Sequence, residues 1–253
     1  MNEPVRFEMH HQVAIVELNR PHRLNAITDQ VVSGLLASFE RATQDGARAV
    51  ILAGAGPSFC SGHDLKEPQP QEDAQAFRAR LERLQDVTRT IKALPVPVIA
   101  AVQGWAVGAG AEFALACDLV IAAADARFAF PEVGVGLAVT NGISQILGTA
   151  LGPQRAKYLL MTGTMFTAQD GLQWGLVNVV VPAGEERHRA HMLAQEVLQQ
   201  PPVALGLAKR VIDSGIGATL EGSLAMEVDL SMRLAPREAS DGAAKFAKEN
   251  QAV

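Results

Sequence analysis

The sequence predicts an α/β protein with a helical C-terminal region, and three observations support this prediction. Short strand-like runs alternate with helical stretches through most of the chain, which is typical of repeated βαβ-type units. Hydrophobic residues make up 48% of the 253 residues and charged residues 19%, so the chain can bury a large core. After the last strand signal, Leu176 to Val181, the pattern is helical to the end. We therefore expect a core domain over residues 1–195 and a helical region over residues 196–253.

The first elements are expected to be a hairpin, a capped helix and a buried strand. Apolar and polar residues alternate over Val5 to Asn19 with a break at His10-His11-Gln12, as in two paired strands. Thr28 or Asp29 can cap the next helix, whose apolar side chains recur with a period of about 3.6. The uniformly apolar run Ala49 to Ala53 predicts a buried strand.

The middle of the chain continues this alternation. We expect a helix at Ala74 to Leu94, a strand at Val98 to Val102, a short buried helix at Ala109 to Cys117, and strands at Leu119 to Ala122 and Phe128 to Phe130. The stretch from Ala93 to Ala111 has no ionisable group, but its prolines, glycines and small side chains oppose a membrane span. We interpret it as a buried strand that runs into a glycine-rich turn.

The charge balance and the cysteines limit the classes of function. Lys and Arg number 22 against 27 Asp and Glu, and the net charge of -5 disfavours binding to nucleic acid or to an anionic membrane. Cys60 and Cys117 cannot form a disulfide framework or a zinc cluster. The N-terminal residues lack the pattern of a secretory signal. We therefore expect a cytoplasmic protein with no nucleic-acid, membrane or metal partner.

Several common catalytic motifs are missing. Gly108-Ala109-Gly110 continues to Phe113, where a dinucleotide-binding G-x-G-x-x-G turn needs a third glycine. Neither a P-loop nor a G-x-S-x-G nucleophile elbow is present. His188 and His191 stand beside arginines that would repel a metal ion, so we interpret them as part of a solvated helix face.

Two glutamates lie in unusually apolar surroundings. Glu112 is the only charge between Gly108 and Ala116, and Glu132 precedes an apolar run. Burying a carboxylate is costly unless something compensates or uses the charge. From the residues alone, structural interpretations stay open beside the catalytic one: Glu112 can satisfy N–H groups in the first turn of its helix, and Glu132 can end a strand facing solvent.

Glycine-rich turns precede two possible helix starts, at Gly62 and at Gly108 to Gly110. Such turns let a ligand approach the backbone, where free N–H groups can bind a developing oxyanion. Together with the glutamates, they suggest carbonyl activation combined with acid–base chemistry. The alternative, that these glycines only allow tight strand–helix turns, stays open at this point.

A series of motifs in matching order resembles the crotonase family, also called the enoyl-CoA hydratase/isomerase family. The motifs are Leu18 to Pro21 with Leu24 to Ala26, Phe59 to Glu67, Pro95 to Glu112, Ala116 to Ala122, Phe128 to Glu132, Leu160 to Gly163 and Trp174 to Asn178. The resemblance implies a crotonase-like core of repeated ββα units, a helical C-terminal trimerisation region, and self-association as a trimer or a dimer of trimers. It also implies an acyl-CoA substrate and no separate cofactor, since coenzyme A is part of the substrate.

The resemblance also assigns residues to roles. The two oxyanion-hole N–H groups fall on His63 and Ala109, and the two glutamates that hold the reacting water in hydratases fall on Glu112 and Glu132. The substrate-binding positions are Arg23, Leu24, Ala26, Ser61, Asp64, Leu65 and Gly108. Positive charge for the CoA phosphates is offered by Arg20, His22, Arg23 and Lys66, and by the tail lysines Lys245 and Lys248.

Glutamate at both positions predicts hydration of a trans-2-enoyl-CoA to the 3-hydroxyacyl-CoA, or the reverse dehydration. Glu112 is expected to activate water as general base, and Glu132 to deliver a proton to C2. The alternatives are an enoyl-CoA isomerase that uses Glu132 alone, a non-catalytic acyl-CoA-binding subunit, and an RNA-binding protein. The run from Val133 to Gly142 and the side chain of His63 depart from the common hydratase pattern, and the C-terminal tail stops early.

Overall fold

The computed structural model describes residues 3–67 and 72–234, and the strands in this part of the chain form two sheets. They are β1 (Val5–His10), β2 (Val13–Leu18), β3 (Ala49–Gly54), β4 (Val98–Val102), β5 (Trp105–Val107), β6 (Leu119–Ala123), β7 (Arg127–Ala129), β8 (Phe166–Thr167) and β9 (Val179–Val181). The larger sheet has the order β1-β2-β3-β4-β6-β9, and only its β1–β2 pair is antiparallel. The smaller sheet has the order β5-β7-β8.

Helices connect and cover these strands. They are α1 (Asp29–Gln44), α2 (Ala74–Ala93), α3 (Ala109–Ala116), α4 (Ile143–Leu151), α5 (Pro153–Thr162), α6 (Ala168–Trp174), α7 (Glu186–Leu198), α8 (Pro202–Gly215) and α9 (Leu220–Ser231), with short 3-10 helices at Pro21–Arg23 and Glu132–Val135. Two strands followed by a helix recur as β1-β2-α1, β4-β5-α3 and β6-β7-α4. The predicted α/β class with repeated ββα units is confirmed.

The larger sheet is buried on both faces. Successive side chains of a strand point to opposite faces, so Val50 and Leu52 of β3 join the core with α1, α2 and α3. Ile51 lies on the other face, where Ala190 and Ala194 of α7 cover the sheet. A parallel strand covered on both sides is apolar throughout, which explains why β3 and β4 show no alternation.

Most predicted elements are confirmed near their predicted bounds. The hairpin pairs Val5 with Leu18, and the hydroxyl of Thr28 caps α1 by accepting from the Val31 N–H at 3.3 Å. The short strands β5 and β8 were not predicted, and β9 is shorter than predicted. The division proposed after residue 195 falls inside α7, which packs on β3 and β4. Among the described residues, no helix is long and apolar enough to cross a membrane.

The N-terminal part of α3 packs against the segment around Cys60 so closely that Gly110 has no room for a side chain. A Cβ at Gly110 would lie 2.4 Å from the carbonyl oxygen of Cys60 and 2.7 Å from its Cβ. Because backbone must move to accept it, we expect Gly110→Ala to lower the free energy of unfolding by at least about 2 kcal/mol. Urea unfolding measures this difference.

The matched control is Gly148→Ala, since Gly148 also lies in a helix, α4, but has no atom within 4 Å of an added Cβ. Alanine has the higher helix propensity, so this variant should be at least as stable as the wild type. Equal stability of the two variants would contradict the close packing of α3.

Candidate active site

Two glycine turns meet at the N-terminus of α3. Gly62 and Gly108 have φ values of +85° and +53°, which favour glycine, and a Cβ on Gly62 would lie 2.8 Å from the carbonyl oxygen of Val107. The backbone of Cys60 exchanges hydrogen bonds of 2.9 Å with β5, to which Trp105 and Val107 belong, and so fixes one turn against the other. The two turns therefore form one continuous backbone surface.

His63 and Ala109 follow these two glycines directly, as the resemblance assigned them. The neighbouring polar groups are occupied, because the Gly62 carbonyl accepts from the Ile27 N–H at 2.8 Å and the Asp64 N–H donates to the Ile27 carbonyl at 3.0 Å. Within the described part of the chain, neither the His63 N–H nor the Ala109 N–H has a hydrogen-bond acceptor. Both groups are available to an anionic ligand.

Glu132 lies directly over this surface. It begins a 3-10 helix after β7, so it does not end a strand, and a Cβ on Gly108 would lie 2.8 Å from its Oε1 atom. Its Oε2 atom is buried and has no hydrogen-bond partner among the described residues. Burial raises the pKa of Glu132 to about 7, its own backbone N–H opposes this shift, and the charge of Glu112 adds to it. A carboxyl group with this pKa can give or take a proton at neutral pH.

Glu112 is buried in the first turn of α3, with 1% of its surface exposed. Its carboxylate accepts from the backbone N–H of Thr140 at 2.8 Å, from the Thr140 hydroxyl at 2.7 Å and from the Asn141 amide at 2.8 Å. These donors belong to the loop before α4 rather than to the first turn of α3, which was the structural alternative. Thr140 and Asn141 were not predicted to have a role, although they form a polar pair in the apolar run after Glu132.

The proposed substrate-binding residues lie on two loops that contact each other. Asp64 is buried and accepts from Arg23 Nη2 at 2.6 Å and from Arg20 Nη2 at 3.1 Å. The Arg23 guanidinium holds the pKa of Asp64 below its usual range, with Arg20 acting in the same direction. Two arginines around one carboxylate leave this cluster with a surplus positive charge.

The other assigned positions on these two loops differ in exposure and in their contacts. Ser61 donates its N–H to the carbonyl of Leu24 at 3.0 Å, Leu24 and Leu65 are exposed, and Ala26 is buried. Asn25 was not predicted to have a role. Its buried amide donates to the carbonyls of Ala55 and Ser58, both at 2.8 Å, and so links the two loops. The tail lysines Lys245 and Lys248 lie outside the described residues.

The side chain of His63 has surroundings of its own, separate from the backbone N–H to which the resemblance assigns a role. It lines a small cavity with Val32, Leu84 and Arg80. Partial desolvation there lowers the pKa of His63, and the charge of Arg80 adds to this effect. Among the described residues, no group of three His, Cys, Asp or Glu side chains could hold a metal ion.

The ββα repeats and the backbone site at the start of α3 define a protein of the crotonase fold class. The family model for enoyl-CoA hydratase/isomerase matches residues 8–252. A solved enoyl-CoA hydratase from Polaromonas sp. JS666 superposes with a TM-score of 0.92 at 32% identity, and the match covers 97% of each chain. The chain therefore belongs to the enoyl-CoA hydratase/isomerase family.

Curated relatives of similar identity carry different activities in their names. The short-chain-enoyl-CoA hydratase of Clostridium acetobutylicum is 36% identical over 88% of this chain and 86% of its own length. The 1,2-epoxyphenylacetyl-CoA isomerase of Escherichia coli is also 36% identical, over 90% of this chain and 88% of its own length. Family membership thus leaves a choice between hydration and isomerisation.

Proposed function

We propose that the protein hydrates trans-2-enoyl-CoA thioesters to 3-hydroxyacyl-CoA and catalyses the reverse dehydration. The observation that carries this proposal is Glu132, whose half-buried carboxyl group lies against Gly108, directly before the Ala109 N–H in the chain. Among the described residues, one oxygen of this carboxyl group and the N–H groups of His63 and Ala109 have no hydrogen-bond partner. Glu112 supplies the second carboxylate that hydration requires.

In the proposed reaction, the thioester oxygen accepts hydrogen bonds from the N–H groups of His63 and Ala109. Glu112 takes a proton from water as the water oxygen bonds to C3, and the double bond shifts its electrons toward the thioester oxygen. Glu132 then gives its proton to C2, and the oxyanion returns to a carbonyl. Each N–H donor is expected to stabilise the transition state by about 3 kcal/mol.

The test is a panel of trans-2-enoyl-CoAs of different chain length and branching, incubated with the purified protein. Loss of the conjugated thioester absorbance, with 3-hydroxyacyl-CoA identified by mass spectrometry, supports hydration. Binding of acyl-CoA with no turnover across the panel supports a non-catalytic subunit instead.

Isomerisation is the second candidate, because hydrogen bonds from Thr140 and Asn141 already engage both oxygens of Glu112. An isomerase moves a proton with Glu132 alone and needs no water on Glu112. Conversion of a trans-3-enoyl-CoA to the conjugated isomer, without hydration of the trans-2 substrate, selects this candidate.

The CoA phosphates are proposed to bind near Arg23, whose cluster with Arg20 and Asp64 carries surplus positive charge. Arg23→Ala should therefore raise KM for acyl-CoA with little change in kcat, and the defect should shrink as ionic strength rises. Asp64 keeps Arg20 as a partner in this variant. Steady-state kinetics at low and high salt measure the effect.

The matched control for this prediction is Arg6→Ala, since Arg6 is also paired with a carboxylate, Glu17 at 3.2 Å, but lies on β1. A lowered kcat, or an unchanged KM at low salt, would show that Arg23 does not bind the CoA phosphates. Lys66 or the tail lysines would then be the next candidates.

We propose that the chain assembles as a trimer or a dimer of trimers. The C-terminal helices α8 and α9, with the turn between them, leave large apolar side chains exposed: Ile212, Ile216, Leu220, Leu224, Val228 and Met232. Exposed apolar surface of this kind is typical of contacts between subunits. Sedimentation at micromolar concentration should show a species of at least three chains, and a monomer would contradict the proposal.

We also propose that the protein works in the cytoplasm, from its cysteine usage. Cys60 and Cys117 are buried and free, as suits a reducing compartment. Some relatives are named as mitochondrial, among them the human enoyl-CoA hydratase domain-containing protein 2. Fractionation of the source cells distinguishes the two locations.

A further inference from the structure

A chain of hydrogen bonds with fixed direction ends on Glu112. The Thr88 hydroxyl of α2 donates to the Asn141 amide oxygen at 3.3 Å. The amide nitrogen then donates to Glu112 Oε2 at 2.8 Å and to the Thr140 hydroxyl at 3.1 Å. Because the Thr140 hydroxyl accepts from Asn141, its proton is directed to Glu112 Oε2, at 2.7 Å.

This arrangement restricts what Glu112 can still bind. A carboxylate offers about four acceptor positions. The Thr140 hydroxyl and the Asn141 amide occupy both positions of Oε2, and the Thr140 N–H occupies one position of Oε1 at 2.8 Å. The remaining acceptor position lies on Oε1, so a water held by Glu112 must bind there.

Local backbone geometry does not account for this network. Asn141 has a φ of +53°, a region that asparagine tolerates better than most residues, and this alone could explain an asparagine at the position. However, its side chain is buried and each polar atom of it has a partner on another residue. The amide links α2, α3 and the loop before α4, which a residue chosen only for its φ angle would not do.

We propose that Thr140 and Asn141 are positioning residues that hold Glu112 in the orientation in which Oε1 receives the reacting water, and that Thr88 orients the Asn141 amide. This proposal rests on the proposed hydration activity and deepens it. Neither residue takes part in bond making; both act through Glu112.

The decisive variant is Asn141→Gly, because glycine accepts a φ of +53° freely while the amide is lost. We expect Tm to fall, because the hydrogen bonds of the buried amide are lost, kcat for hydration to fall by about 10- to 100-fold, and KM for enoyl-CoA to change little. Thr140→Val should lower kcat in the same way, whereas Thr140→Ser, which keeps the hydroxyl, should restore most of it.

The outcomes separate this proposal from the proposed function. If the wild type hydrates enoyl-CoA and Asn141→Gly has the same kcat, the positioning role is wrong and the function stands. A wild type without hydration overturns the function, and crystal structures of the wild type and Asn141→Gly then decide the positioning role. One Glu112 rotamer in both structures overturns it, while several rotamers in the variant alone support it.

Discussion

Replacing Glu132 by glutamine is expected to lower the hydration rate by at least about a hundredfold, while acyl-CoA binds nearly as well as before. The carboxyl group lies over Gly108, beside the two N–H groups that are proposed to bind the thioester oxygen. Glutamine keeps the size and the hydrogen-bonding capacity of the side chain but cannot deliver a proton. The expectation is met if the hydration rate falls by this factor while the Kd for a saturated acyl-CoA stays unchanged.

The control for this variant is Glu40→Gln, an exposed glutamate on α1 that should have no effect on turnover. If Glu132→Gln hydrates the substrate at a rate close to that of the wild type, the two-glutamate mechanism is wrong.

The protonation state of Glu132 also predicts how the rate of the wild-type enzyme changes with pH. Hydration needs Glu132 protonated, and burial raises its pKa to about 7. The active fraction is therefore largest below pH 7 and is lost as the pH rises through about 7. An isomerase that uses Glu132 as a base needs the ionised form, so its rate would rise over the same interval. The sign of the slope near neutral pH thus separates the two candidate reactions.

Glu112→Gln should also lower hydration by at least about a hundredfold, because the water loses its general base. Its effect differs in kind from that at Glu132. The carboxylate faces N–H and O–H donors from Thr140 and Asn141, and an amide NH2 group placed there opposes at least one of them. We therefore expect a loss of stability beside the loss of turnover, since buried donors without acceptors are costly.

Measuring Tm beside kcat and Kd separates these two effects. Isomerisation of a trans-3-enoyl-CoA by this variant is the second readout, since that reaction does not need Glu112. A variant that keeps hydration at the wild-type rate would show that Glu112 serves structure only.

Much of the fold follows from local sequence patterns. The hairpin, the Thr28 cap and the apolar strands β3 and β4 were predicted near their observed bounds, because each depends on residues close together in the chain. Strands β5 and β8 were not, since three and two residues are too few to show a period. Their pairing depends on neighbours elsewhere in the sequence, chiefly β7.

For the candidate site, the sequence alone determined that Glu112 and Glu132 lie in apolar surroundings and that glycine turns precede two possible oxyanion donors. Only the tertiary structure decided what each glutamate faces. Glu112 meets donors from Thr140 and Asn141, while Glu132 lies over Gly108 and has one oxygen without a hydrogen-bond partner among the described residues. The pattern of apolar residues in the sequence indicates that a side chain is buried, but not which groups it contacts there. Two carboxylates that look alike in sequence therefore differ in their hydrogen-bonding surroundings, because different segments pack against them.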